Sequence, residues 1–154
     1  MGTVDGRAPP PHEDLDLRAG PEVAGPGELL FAYGTLQPGE SRWPLIAEFV
    51  DVVGPARTQG RLVSTPMGWP AASFGGDGEV HGTLLRSRGA AAARELWRIT
   101  DLVEDAGRLF VRHVIRVRWG SEVRWATAYA WNWARGAPPG EQVPDGRWRG
   151  VPSD

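Results

Sequence analysis

The chain has 154 residues, a formal net charge of −2 and no cysteine; this suits one globular domain and excludes a disulfide framework, a thiolate metal site and a cysteine nucleophile. Its three histidines, His12, His81 and His113, lie far apart without HxxxH-type spacing, so no zinc site is expected. No stretch approaches the ~18 apolar residues of a membrane span, and the N-terminus has neither a basic start nor an apolar run, so no membrane partner and a cytoplasmic location are expected.

Glycine and proline mark the ends of the folded part. Residues 1–27 hold ten of the 35 and residues 136–154 hold eight. The first segment has too few large apolar residues to offset its ordering entropy and is expected to be a flexible tail. The last contains Trp148 and is expected to dock as an appendage on a domain spanning 28–135. All seventeen basic residues are arginine, which fits a bias in genome base composition rather than a function.

In chain order, the apolar run 28–33, stopped by Gly34, suits a buried strand that ends in a turn. Residues 43–50 suit a short helix, and 59–64, 70–74 and 80–86 are short strands separated by glycine-rich turns. A helix is expected over 89–102, with Ser87 as its N-cap and Ala92, Leu96, Ile99 and Val103 as its apolar stripe. Residues 109–119 alternate in strand fashion, and 123–133 follow closely enough for an antiparallel hairpin. Neither face of that last strand is strongly polar, so it should be covered on both sides. Six or seven strands with one or two helices argue for an α+β fold with a small, curled or barrel-like mixed sheet.

Two segments carry candidate chemistry. In the first, Tyr33-Gly34-Thr35-Leu36, Gly34 allows close approach to a ligand or a positive φ. Successive free N–H groups in such a turn form a nest suited to a carboxylate. As a bare pattern, the same turn is equally a common way to end a strand. In the second, Asp101, Glu104 and Asp105 crowd a helix C-terminus, where each opposes the macrodipole by roughly 0.3–1 kcal/mol. An unfavourable local choice hints at function, although a solvated acidic loop reads the same way.

Taken together, these segments resemble the gamma-glutamylcyclotransferase-like (AIG2-like) family. Tyr33-Gly34-Thr35-Leu36 with Pro38-Gly39 is similar to its YGTLxxG signature, and Trp69-Pro70-Ala71 to its aromatic-Pro-Ala strand. Val80-His81-Gly82-Thr83-Leu84-Leu85 is similar to VxGxLL, and Asp101-Leu102-Val103-Glu104 to LDxxEG. Phe110-Val111-Arg112 resembles YxR, Ala128-Tyr129-Ala130-Trp131 resembles AxVY, and Asp145-Gly146-Arg147-Trp148 resembles the terminal SGDW. The chain departs from the pattern at Thr100, at Phe110 and Trp69, each in place of a tyrosine, and at Asp105, which replaces the glycine after Glu104.

The resemblance implies a cofactor-free reaction on a small-molecule γ-glutamyl substrate. The α-amine of a γ-glutamyl amide closes on its own side-chain carbonyl, giving 5-oxoproline and the free amine. It implies Glu104 as the acid/base that moves the proton. The N–H groups of Gly34, Thr35 and Leu36, with Tyr33 beside them, would hold the glutamyl carboxylate or carbonyl, and Tyr129 would reach in from the hairpin. Burial and the neighbouring Asp101 and Asp105 should raise the pKa of Glu104 toward that of an amine. The YGTL form leans toward the γ-glutamylamine branch. Trp69 is expected in the core, Arg112 on an internal acid or facing solvent rather than on a substrate carboxylate, and His81 and His113 in structural roles.

Two rival readings are weighed. A binding module would keep the fold and pocket without turnover. A nucleic-acid interface would use Arg108, Arg112, Arg116, Arg118 and Arg124, but the pI of 5.9 argues against it. Oligomeric state has no signature in the sequence.

Overall fold

The computed structural model describes residues 28–149; the expected N-terminal tail and the last five residues lie outside the described residues. The chain opens with β1 (Leu29–Ala32), in which every residue is buried. Short 3₁₀ turns at Trp43–Leu45 and Ala47–Phe49 replace the expected helix over 43–50. Pro44 stands in the first of these turns, a position that proline tolerates.

Next come β2 (Val50–Ser64) and β3 (Pro70–Ser87), a long antiparallel hairpin. The two short strands expected over 70–74 and 80–86 are halves of β3. Register runs from Gln59↔Glu79 directly to Gly60↔Phe74, so residues 75–78 leave the ladder without reversing the chain. This glycine-rich excursion looks like a turn in sequence, yet both halves pair with the same partner. Irregularities of this kind add twist and bend the strand, and the bent hairpin curls the sheet onto itself.

The hairpin β4 (Phe110–Trp119) and β5 (Glu122–Trp131) completes the sheet. Strand order is β3-β1-β5-β4-β2, with β2 and β3 pairing to close the ring, and β1 runs parallel to β5. The described residues thus form a five-stranded mixed barrel with one helix, carrying β6 (Glu141–Gln142) as an extra strand on β2. Closure between β2 and β4 is slight: one pair, Arg57↔Arg118, and a hydrogen bond from Thr58 Oγ1 to the Arg116 carbonyl at 2.7 Å.

Two apolar clusters follow from strand alternation. The barrel interior holds Phe31, Tyr33, Leu62, Val80, Ile115 and the small Ala126 and Ala128. The outer layer, under the helix, holds Leu30, Ile46, Leu85, Leu96, Trp97, Tyr129 and Trp131. β5 is buried on both faces, as expected, only from Ala126 onward; its first four residues are not buried.

The helix α1 (Ala90–Val103) lies within a residue of the expected span, but its N-cap is Gly89, not Ser87. Ser87 is drawn into β3, where its N–H donates to the Glu28 carbonyl at 2.8 Å. The buried face is Leu96, Trp97 and Thr100, rotated from the expected stripe. Tyr129 explains the rotation: Trp97 packs its ring on it, and Thr100 meets its hydroxyl.

The segment 136–149 lies along the barrel. β6 pairs with Val63 and Ser64, the Val143 N–H donates to Leu62, and the His81 N–H donates to the Gly146 carbonyl. Trp148 packs against the interior cluster. Gly146 has φ +67, and a Cβ there would stand 1.8 Å from the Glu79 carbonyl oxygen. Gly146→Ala should therefore cost about 2 kcal/mol or more, read as a Tm lower by roughly 6 °C.

Candidate active site

Two of the cavities among the described residues bear on the site. The larger, about 850 Å³, lies where β2 and β4 diverge, lined in part by Thr58, Phe74, His113, Ile115 and Trp133. None of the site residues expected from the sequence lines it. The smaller, about 130 Å³, lies between the end of β1, the end of α1 and β5. Tyr33, Gly34, Thr35, Leu36, Glu104 and Tyr129 all line it. It is smaller than the usual 300–1,000 Å³ of a ligand pocket, so it suits a compact polar head group with the remainder of the molecule outside.

On one side is the turn after β1. The Gln37 N–H returns to the Gly34 carbonyl at 3.1 Å, and the Arg42 N–H to Thr35 at 2.8 Å. Among the described residues, no backbone acceptor takes the N–H groups of Gly34, Thr35 or Leu36. Gly34 does not have a positive φ. Its need is steric: a Cβ there would stand 2.6 Å from Pro70 Cγ, so the close approach is to Pro70. Tyr33 is buried, and its hydroxyl donates to the Tyr129 carbonyl at 2.5 Å. Burial, followed by the nearby Glu104 charge, holds its pKa well above the ordinary phenol value.

On the other side is the end of α1, where the three acids have different fates. Asp101 takes a two-pronged ion pair from Arg112, at 3.0 and 2.7 Å, and accepts the Tyr129 hydroxyl at 2.6 Å. With its proton on Asp101, that phenol accepts from Thr100 Oγ1 at 2.7 Å. Asp105 pairs with Arg108 at 2.5 Å. Glu104, the C-cap, has no ion-pair or hydrogen-bond partner for its carboxyl among the described residues.

Withdrawal from water is the main reason the Glu104 pKa rises, to about 7; the Arg42 charge opposes it. The expectation that Asp101 and Asp105 add to the rise is not met. Each already has its own arginine, so neither presents a free negative charge to Glu104.

Asp105 settles where the C-cap sits. Its φ is +54, the left-handed conformation that glycine favours and aspartate tolerates. The Ala106 N–H reaches the Asp101 carbonyl at 2.9 Å, and the Asp105 N–H reaches Leu102 at 3.3 Å. That pattern is the Schellman ending of a helix. The turn expected of a glycine is thus made without one.

Sequence reasoning missed Arg42. It lies eight residues beyond Gly34 in a loop with no periodicity, and only folding brings it to the cavity wall. Trp69, expected in the core, is half-buried; it packs on Phe110 and Trp131 and also lines the cavity. Of the alternatives open for Arg112, the structure takes the internal acid, Asp101. His81 faces Glu79 at 3.3 Å, away from the site.

The described residues form a closed mixed barrel in which the end of α1 and the turn after β1 line one small cavity. Among solved structures, the chain is similar to PH0828 from Pyrococcus horikoshii (TM-score 0.60, 16% identity, 79% of this chain and 89% of that one). It is also similar to YkqA from Bacillus subtilis (0.59, 21%, 79% and 39%) and to an AIG2-like protein from Mus musculus (0.57, 19%, 67% and 76%). These likenesses are of fold, and the chain spans well under half the length of YkqA. No curated protein matches the sequence. The family model for gamma-glutamyl cyclotransferase, AIG2-like, matches residues 30–150, and the chain belongs to that family.

Two measurements test this geometry. Asp105→Gly should be at least as stable as wild type, whereas Asp105→Val should lose about 1–2 kcal/mol, because a β-branched residue resists the left-handed turn. The second is pH-dependent stability. Below about pH 4.5, Glu104 is protonated in both the folded and the unfolded chain. As pH rises toward 7, the unfolded chain releases this proton first, so wild type loses up to about 3 kcal/mol. Glu104→Gln lacks that loss, so denaturant melts should show its advantage growing from pH 4.5 to 7 and then levelling.

Proposed function

We propose that the chain cyclises the γ-glutamyl group of a small amide to 5-oxoproline and releases the amine, with Glu104 moving the proton. The observation that carries this reading is a carboxyl that has no partner among the described residues, its pKa raised to about 7, lining one cavity with a turn whose Gly34, Thr35 and Leu36 N–H groups meet no backbone acceptor there.

In the reaction, a bond forms between the α-nitrogen and the side-chain carbonyl carbon, and the bond from that carbon to the departing nitrogen breaks. No electrons are exchanged with another species and no water is consumed. The α-ammonium loses two protons on becoming the lactam N–H. Glu104 takes one and delivers it to the departing nitrogen; the other ends on the released amine as its ammonium.

A carboxylate of ordinary pKa is a weak base toward an amine near 8, and a pKa near 7 narrows that gap to about one unit. The N–H groups of Gly34, Thr35 and Leu36 hold the glutamyl carboxylate or the carbonyl oxygen that gains charge during attack. The tight cavity keeps the glutamyl chain curled, removing rotational freedom before the bond forms. Tyr33 and Tyr129 supply the wall, each hydroxyl engaged within the protein. A cytoplasmic location belongs to this reading; among the described residues, no helix is long and apolar enough to cross a membrane.

The test is release of 5-oxoproline from a panel of γ-glutamyl amines and dipeptides. Wild type should turn over at least one, and Glu104→Gln should be slower by roughly 10²–10⁴-fold. kcat/KM should fall tenfold per unit on the acid side of about pH 7, where Glu104 takes up its proton. Tight binding across the panel without 5-oxoproline would replace the enzyme with a binding module.

A further inference from the structure

The small cavity holds one group that the reaction above does not use. Arg42 is, among the described residues, the one cationic side chain in its lining. Its backbone N–H is tied to Thr35 and its Nη1 reaches the Val103 carbonyl at 3.4 Å, so it spans the gap between the N–H turn and the end of α1. A bond of that length is weak, and a guanidinium has five N–H donors. Among the described residues, no carboxylate lies within 4 Å to form an ion pair with it, although eight other arginines there have such partners. Arg42 is only partly exposed, so its positive charge stands beside the reacting groups with most of its hydrogen-bonding capacity unfilled.

The requirement it meets follows from the cavity's size and its other donors. The cavity takes little more than the glutamyl head, whose oxygens the turn N–H groups can receive and whose amine Glu104 can receive. The substituent on the departing nitrogen must then lie at the rim, next to Arg42. We infer that Arg42 is a specificity-determining residue that receives a carboxylate on the leaving group, making γ-glutamyl amino acids the preferred substrates over γ-glutamylamines. This inference rests on the cyclotransferase reading and reverses the branch that the YGTL turn alone suggests. Arginine suits the task because its planar fork matches a carboxylate in two parallel hydrogen bonds.

The experiment compares γ-glutamyl-alanine with γ-glutamyl-ethylamine, which differ by the carboxylate alone, in wild type, Arg42→Gln and Arg42→Lys. The readout is the ratio of the two kcat/KM values. Wild type should favour γ-glutamyl-alanine by about 10- to 100-fold. The ratio should collapse toward one in Arg42→Gln and be intermediate in Arg42→Lys, which keeps the charge but not the fork. A wild-type ratio near one, or a ratio preserved in Arg42→Gln while both substrates slow equally, overturns the inference and assigns Arg42 to the glutamyl head or to the loop. Calorimetric titration of the same two compounds separates this from failure of the parent reading. If neither yields 5-oxoproline, a binding preference for γ-glutamyl-alanine that Arg42→Gln abolishes upholds carboxylate recognition without the reaction. Equal dissociation constants overturn the inference.

Discussion

The ion pair between Asp101 and Arg112 holds the rest of the site in place. It joins the last turn of α1 to a barrel strand through two parallel hydrogen bonds, and it gathers the Tyr129 hydroxyl and, through it, Thr100. Arg112 also lies 5.6 Å from the centre of the Trp97 ring. Charge, hydrogen bonding and aromatic packing therefore converge on one joint. Removing either ion would leave the other partly buried and unpaired, the costly case for such pairs. Because Glu104 caps this same turn, its position relative to the barrel is set by the joint.

The three acids illustrate how one unfavourable local pattern is resolved. A helix C-terminus repels negative charge, and three carboxylates there would weaken the helix if all stayed free. Two have been matched with arginines that come from β4 and from the loop before it. The third has no partner among the described residues and lines a cavity together with Tyr33, Leu36, Leu109 and Phe110. Desolvation, not mutual repulsion, is what distinguishes it. The folded protein thus isolates one proton-binding group while neutralising its neighbours.

Much of this was legible in the residues. Alternation along 109–119 and the tight link to the following strand located the β4–β5 hairpin, and the short motifs located the turn at Tyr33 and the acid at Glu104, all of which meet at one cavity. What was illegible has physical causes. The excursion at 75–78 has the composition of a turn, but whether a glycine run reverses a strand depends on partners on β2. Ser87 has the chemistry of a cap, yet strand pairing claimed its backbone. That Asp105 makes the turn expected of a glycine could not be read, because tolerance of a left-handed turn is not visible in a residue's name. Arg42 gave no signal, since its role comes from a contact between segments sixty-one residues apart.

The contact between Gly34 and Pro70 has a consequence for how such a site can vary through descent. The pyrrolidine ring occupies the space a side chain at position 34 would need, while the same ring forms part of the cavity wall. Neither residue can drift alone: enlarging position 34 demands a smaller neighbour at 70, and losing the ring opens the wall. The two positions form a single heritable unit, so in sequences that share this barrel a change at one should be accompanied by a change at the other.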